Sequence, residues 1–286
     1  MLSIGKKIGL LAGSGGFPIT FAQAARRSGH HVTALAIEGF ASPDLAKYVD
    51  DIHWLGVGQV DTLIWLCHEK NISNLAMAGK VEHLTIFNIG KIETRVGRVL
   101  ARLTDRRAES ITRALIAELE SENIHVLDSS LFLKSLLPSE GLLTRRRSIK
   151  ARERRDIQFA WPLVREIARL DIGQSLVVKD GVVIAVEGAD GTDATIRRGG
   201  QLAGPGAIVA KVSRPRQDLR FDLPVVGLDT VRTMAEVGAA VLAFGAGETL
   251  FFDQKEAVAL AEKSNIGIVA WPAATPLPSA NGERKP

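Results

Sequence analysis

Two short stretches in the second half of this chain gather the residue types that handle phosphate and divalent cations. The first, "VEGADGTDATIRRGG", sets Glu187, Asp190 and Asp193 beside Gly188, Gly191 and Thr192, and follows them with Arg197 and Arg198. The second, "SRPRQDLRFDLPVVGLDT", interleaves Arg214, Arg216 and Arg220 with Asp218, Asp222 and Asp229. Carboxylates on glycine-containing loops can converge on Mg²⁺, which takes one or two of them, keeps several waters and bridges to substrate phosphates. Arginines nearby can clamp phosphate oxygens bidentately. The same residues also fit a plainer pattern, surface ion pairs with Asp229 as N-cap of a helix beginning near Thr230. Residue type alone leaves both open.

A third stretch lies near the start. "GLLAGSGGFP" places Gly13, Ser14, Gly15 and Gly16 after a strand and before a helix carrying Pro18 in its first turn. Glycines there let backbone N–H groups approach a phosphate at a helix N-terminus; a structural tight turn uses the same residues. Pro18 stands where the dinucleotide fingerprint G-x-G-x-x-G needs its last glycine, and no P-loop is present. "MAGKVEH" (77–83) closes another strand, and Lys80 is a candidate ligand contact there, because ligands of open α/β sheets bind at strand C-termini. The histidines show no zinc spacing, and Cys67 inside "LIWLCHEK" reads as a small buried hydrophobe.

The elements that must carry these residues follow from periodicity. In the first half, 7–13, 31–37, 52–57, 72–79 and 124–130 read as strands, with helices in "FPITFAQAARRSG", "VDTLIWLCHEKN" and, as one long or two shorter segments, 95–122. Strands alternating with helices predict a parallel sheet. In the second half, "QSLVVKDGVVIAVEG" is a hairpin about Lys179-Asp180-Gly181. The stretch from Glu187 to Asp193 reads as a loop leaving it, and the remainder as a mixed sheet with helices. The fold class is therefore α/β, an N-terminal Rossmann-like domain over 1–135 and a C-terminal mixed α/β domain over 151–272. A linker at 136–150 and a mobile tail at 273–286 complete it. Arg145, Arg146, Arg147, Lys150, Arg152, Arg154 and Arg155 crowd the linker and the helix after it. They read as a solvated connector or as a patch facing anions or a membrane.

A length of 286 residues leaves room for two cores. A net charge of +4, dispersed along the chain, suits an acidic small molecule and gives no basis for nucleic-acid binding. A single cysteine rules out an intramolecular disulfide and fits a reducing cytoplasm. No apolar run approaches the roughly 18 to 20 residues of a membrane span. Membrane contact is expected to be peripheral at most.

Four segments then carry a resemblance. "IGLLAGSGGFP", "DIGQSLVVKDGVVIAVEGADGTDATIRRGG", "QDLRFDLPVVGLDT" and "GIVAW" resemble the LpxI family, the UDP-2,3-diacylglucosamine pyrophosphatases of lipid A biosynthesis, over roughly residues 7 to 271. The resemblance implies hydrolysis of that substrate to UMP and 2,3-diacylglucosamine 1-phosphate with a divalent cation, Mg²⁺ or Mn²⁺, and a lipid site between two domains. It makes Asp229 the leading metal or catalytic carboxylate. Asp193 and Asp222 join it as metal and catalytic candidates, and Arg220 as a catalytic cation. Lys211, Gln217, Thr192, Lys80 and the Gly13–Gly16 loop are its expected substrate contacts. Two departures stand out: Asp190 replaces an expected Glu, and Glu248 an expected Lys, so a lysine role near the C-terminal sheet does not carry over. A homodimer is the general expectation for such an enzyme. Two other functions fit parts of the sequence, a nucleotide-sugar binder without catalysis and a nucleotide-dependent oxidoreductase.

Overall fold

The computed structural model describes residues 5–81, 93–103, 105, 108–215 and 217–272, which leaves Arg216 and the expected tail at 273–286 outside the described residues. By contacts the chain divides into two units. The first runs to Lys134 and adds Asp218–Asp222; the second comprises Ser135–Gln217 and the chain from Leu223 onward.

In the first unit the strands are β1 (Lys7–Ala12), β2 (His31–Ile37), β3 (Asp51–Leu55), β4 (Asn74–Ala78) and β5 (His125–Val126), and β1, β2 and β4 are apolar runs largely buried on both faces. Near-continuous apolar character is what a parallel strand covered on both sides requires. The helices are α1 (Phe17–Arg27), α2 (Val60–Glu69), α3 (Thr94–Arg102) and α4 (Ala108–Ser121). All strand pairs are parallel, in the order β3-β2-β1-β4-β5. Strand order therefore reverses between β1 and β4, and the crevice at their C-terminal ends is the topological switch point of this sheet. No helix among the described residues is long and apolar enough to cross a membrane.

The second unit holds β6 (Gly141–Leu142), α5 (Ala151–Arg169), β7 (Ser175–Lys179), β8 (Val182–Val186), α6 (Gly191–Ala203), β9 (Ile208–Lys211), β10 (Val225–Val226), α7 (Leu228–Glu236), β11 (Val241–Gly245), β12 (Leu250–Phe251), α8 (Gln254–Lys263) and β13 (Gly267–Trp271). Its six-stranded sheet runs β6-β13-β11-β9-β7-β8, with β13, β11 and β9 parallel and the others antiparallel to their neighbours. β10 and β12 form a separate parallel pair. Two apolar layers sandwich the main sheet: Val177, Val209, Phe244 and Phe251 on the side of α6 to α8, and Ile157, Trp161, Leu176 and Val241 on the side of α5. The hairpin turn is as expected. Asp180 (φ 55°) and Gly181 (φ 70°) adopt the left-handed conformations of a type I′ turn. The buried Asp156 on α5 accepts both of their N–H groups, at 3.0 and 2.8 Å.

Two sequence expectations change. The loop expected through Asp193 ends three residues earlier, at Asp190, because α6 begins at Gly191. Gly199 and Gly200 depress its intrinsic helix propensity, and tertiary packing overrides that. A Cβ at Gly199 would lie 2.7 Å from Val177, and one at Gly200 would lie 2.3 Å from Val237, so the glycines let the helix backbone sit directly on β7 and on the end of α7. The basic stretch at 136–150 is also built into the second unit. β6 pairs with β13, and the buried Arg147 reaches Glu153 at 2.5 and 3.1 Å. Burial raises the Glu153 carboxyl, but its hydrogen bonds from Arg147 and the Lys150 N–H outweigh that and hold it below the usual carboxylate range. The N–H groups of Arg145 and Arg146 bind Glu262 at 2.6 and 3.0 Å.

Candidate active site

In the second unit the polar residues collect at one edge of the main sheet. Lys211 ends β9, and Ser175, which begins the antiparallel β7, lies opposite it. Lys211 is only 6% exposed, as is Glu187 just beyond β8. Thr192, in the first turn of α6, joins them: Lys211 Nζ donates to Thr192 Oγ1 at 3.0 Å, and Thr192 Oγ1 donates to Glu187 Oε1 at 3.0 Å. Ser175 Oγ is 3.3 Å from the same hydroxyl, and the Gln174 N–H donates to Glu187 Oε2 at 3.3 Å. Lys211 and Thr192 were expected from the sequence as substrate contacts, and here they touch. Ser175 was missed. Glu187 was noted among the carboxylates but given no role.

The N-termini of α6 and α7 lie at a common end. Arg197 on α6 reaches Thr233 at 3.3 Å and Glu236 at 3.0 Å on α7, and Gly200 abuts Val237. Contacts that advance together along both helices make the pair parallel, and one turn back from Arg197 and Thr233 stand Asp193 and Asp229. Both carboxylates occupy first turns, where the helix dipole favours negative charge. Asp229 does not cap its helix, as the plainer pattern would have it. The N-cap is Gly227, and the Asp229 side chain, 86% exposed, instead binds Arg232 at 2.7 Å. Asp190 precedes α6 and accepts from Arg198 at 2.8 Å and the Gly188 N–H at 3.0 Å; Arg198 chiefly, then Gly188, draws its carboxyl below the usual range. Past β11, where a lysine was expected, Glu248 accepts from Ser213 Oγ at 2.8 Å.

Among the described residues no three His, Cys, Asp or Glu side chains gather as a metal site. A Mg²⁺ ion needs only one or two protein carboxylates when phosphate and water supply the rest. Asp193 and Asp229 stand in the first turns of these paired helices, within the second unit. Asp222, the third expected ligand, belongs by its contacts to the first unit.

The same segment, Asp218–Asp222, is tied into the first unit by charge and backbone. Arg220 donates from Nε and Nη2 to the two oxygens of Asp218, at 2.9 and 2.8 Å, and from Nη1 to Glu120 at 2.9 Å. Arg113 stands 3.3 Å from Asp218 and stacks over Phe221. The Leu219 carbonyl accepts the Ser129 N–H at 3.0 Å, and Ser129 Oγ lies 2.6 Å from the carbonyls of Arg220 and Met77. Arg220, expected as a catalytic cation, thus has all three guanidinium nitrogens engaged with carboxylates. Gln217, in the second unit, accepts the Arg214 N–H through Oε1 at 2.9 Å, and its buried Nε2 has no partner among the described residues.

At the switch point of the first unit the two expected loops meet. Ser14 and Lys80 form an antiparallel bridge, with N–H to O distances of 2.8 and 3.1 Å, and Ser14 Oγ donates to the Lys80 carbonyl at 2.9 Å. A Cβ at Gly13 would come within 2.6 Å of that carbonyl, and one at Gly79 (φ +90°) would come within 2.7 Å of the Gly13 backbone. The backbones touch, and only glycine allows it. Beyond them Gly15 (φ +91°) and Gly16 have open space around them, and Gly16 is the N-cap of α1 with no side-chain cap. Pro18 in its first turn carries no N–H, and the Thr20 N–H donates to the Gly16 carbonyl at 3.1 Å.

Such a pairing, a parallel switch-point sheet with a glycine loop and a second unit that sets a lysine and carboxylates around helix N-termini, defines an α/β enzyme organised for phosphate chemistry. Residues 7–136 match the family description "LpxI N-terminal domain" and residues 139–269 match "LpxI C-terminal domain". The chain belongs to the LpxI family. It is 30% identical over 278 residues to a Caulobacter vibrioides protein named UDP-2,3-diacylglucosamine pyrophosphatase LpxI, covering 92% of this chain and 97% of that one. Among solved structures, the biotin carboxylase domain of Hydrogenobacter thermophilus 2-oxoglutarate carboxylase aligns with 62% of this chain and 35% of its own, at 12% identity and a TM-score of 0.27. That likeness is too slight to argue from.

Proposed function

We propose that this protein hydrolyses the pyrophosphate of UDP-2,3-diacylglucosamine, releasing UMP and 2,3-diacylglucosamine 1-phosphate for lipid A biosynthesis. The observation that carries it is the contact of Lys211 with Thr192 at the start of α6, beside the first-turn carboxylates Asp193 and Asp229, in a chain similar over almost its whole length to a protein named for that reaction. Phosphoryl transfer asks little covalent work of a protein; most of the catalysis is positioning and charge stabilisation. Lys211 and the Nε2 of Gln217 hold phosphate oxygens. Asp229, held by a single exposed ion pair, turns to orient the attacking water. The glycine loop at Gly13–Gly16, with Lys80 nearby, holds the anionic nucleotide moiety. A divalent cation, Mg²⁺ or Mn²⁺, would be held by Asp193 and Asp229, with Asp222 as the further candidate ligand, and would neutralise pyrophosphate charge.

In this scheme the enzyme works in the cytoplasm as a homodimer, against the membrane surface that holds its lipid substrate. Support for the surface contact is the outer side of α5. Phe159 and Leu163 are exposed there, with Arg155 one turn before Phe159 and in no ion pair among the described residues. Incubating purified protein with UDP-2,3-diacylglucosamine, with and without chelator, tests the activity. UMP should appear only in the chelator-free sample. Absence of UMP in both overturns the function, and equal release in both overturns the metal.

A further inference from the structure

Three acids are buried among the described residues of the second unit: Glu153, Asp156 and Glu187. Two have evident structural work, Glu153 as the partner of Arg147 and Asp156 as the acceptor for the hairpin turn. Glu187 does neither. Its carboxylate is directed at the first turn of α6, where Thr192 stands between it and Lys211.

The chemistry of that hydroxyl fixes the direction of the chain. A carboxylate only accepts and an ammonium only donates, while a threonine hydroxyl has one proton to give and two lone pairs. Thr192 must therefore send its proton to Glu187, which leaves its lone pairs for Lys211 and for Ser175, 3.3 Å away. A buried ammonium and a buried carboxylate are each costly alone and tolerable when joined through satisfied hydrogen bonds. Gln174 completes the arrangement by donating its N–H to the second oxygen of Glu187.

We propose that Glu187 is a positioning residue. By fixing the rotor of Thr192 it holds the Lys211 ammonium at the start of α6, where that cation meets a phosphate oxygen of the substrate. An amide in place of Glu187 can donate to Thr192 and turn its proton toward Lys211, which breaks the order of the chain without removing any volume. The assignment rests on the hydrolytic function proposed above for its kinetic readout, and on phosphate binding for a second, independent one.

The experiment compares Glu187→Gln, Lys211→Met, Thr192→Val, Thr192→Ser and the double variant Thr192→Val/Lys211→Met in the full chain. It measures kcat and KM, thermal stability, and the affinity for inorganic pyrophosphate by calorimetry. Glu187→Gln, Lys211→Met and Thr192→Val should each lower kcat about tenfold or more while KM moves little, as expected for groups acting mainly in the transition state. Each should also weaken pyrophosphate binding. Thr192→Ser, which keeps the hydroxyl, should restore both. The double variant should be no worse than Lys211→Met, because residues acting as a unit are not additive.

A folded Glu187→Gln protein with wild-type kcat and pyrophosphate affinity would overturn the assignment. So would Thr192→Ser as damaged as Thr192→Val, losses that multiply in the double variant, or a wild type that binds no pyrophosphate. If Glu187→Gln does not fold, the Thr192 pair decides alone. A wild type that binds pyrophosphate but hydrolyses nothing sinks the proposed activity, while the affinities still judge Glu187.

Discussion

Asp229 Oδ1 lies 2.7 Å from Arg232 Nη1, one turn along the same helix, and makes no hydrogen bond to the backbone at the start of α7. An exposed ion pair of this kind is worth a few tenths of a kcal/mol, ~0.3–0.5 for helix neighbours. Asp229→Asn and Asp229→Ala should therefore leave the thermal midpoint almost unmoved, in contrast to the ~0.5–2 kcal/mol lost with a true cap. Turnover should fall by orders of magnitude, since the lost charge acts on the transition state. Parallel melting curves and UMP-release rates check both halves; a fully active Asn variant removes Asp229 from the chemistry.

Asp218 predicts an acid-sensitive first unit. Its side chain is 11% exposed, and the hydrogen bonds from Arg220, opposed by burial and aided by the Arg113 charge, hold its carboxyl below the usual value. A carboxyl depressed in the folded state stabilises above its unfolded pKa of about 3.9, and that stability is lost as pH falls through the lower folded value. Asp218→Asn should cost about 1.5–3 kcal/mol near neutrality, the range for hydrogen bonds to charged groups. The difference from wild type should close below about pH 4. Melting both proteins from neutral to acid pH measures it, and a gap that persists in acid contradicts the ion-pair account.

Gly200 predicts a cost opposite to helix propensity. Alanine is favoured over glycine by ~1 kcal/mol in an open helix, but here the new Cβ would stand 2.3 Å from Val237. Overpacking of this sort costs ~1–3 kcal/mol, so Gly200→Ala should destabilise the protein. It should also depress activity, because α6 can relieve the clash only by shifting against α7, and Asp193 moves with it. Adding Val237→Ala should recover both, as read by denaturant midpoints and turnover.

The outer side of α5 predicts salt-sensitive binding to membranes. Phe159 is 40% exposed, with Leu163 one turn on and the cation Arg155 one turn before it. Each basic residue near an anionic bilayer contributes about 1 kcal/mol, weakened by salt. Co-sedimentation with anionic vesicles should drop several-fold in Arg155→Gln and in Phe159→Ser, and should fall for wild type as salt rises. Unchanged partitioning, or a loss of dimer without a loss of vesicle binding, assigns that face elsewhere.

Sequence by itself determined the elements whose causes are local. Strands from Lys7 to Ala78 follow from apolar runs, and the Lys179-Asp180-Gly181 hairpin follows from its turn residues. The Gly13–Gly16 and Lys80 loops were legible as separate candidates at strand ends, and the pairing of β1 with β4 is what makes them meet. Lys211 and Thr192 were legible as candidates by residue type. Three matters were decided only by tertiary structure.

The Asp218–Asp222 segment joined the first unit because its partners, Ser129, Glu120 and Arg113, are some ninety residues or more away along the chain, beyond the reach of any periodicity. Helix α6 formed through its glycines because Val177 and Val237 reward close approach, which propensity cannot register. Counting back from the hairpin turn would set Ser175 opposite Val186; the irregularity between Val177 and Val178 shifts the pairing by one, so that the Glu187 N–H bonds the Ser175 carbonyl at 3.0 Å. One extra residue in a strand reverses which side chains share a face. That shift, set by packing on both sides of the sheet, is what brings Glu187 to Thr192 and Lys211.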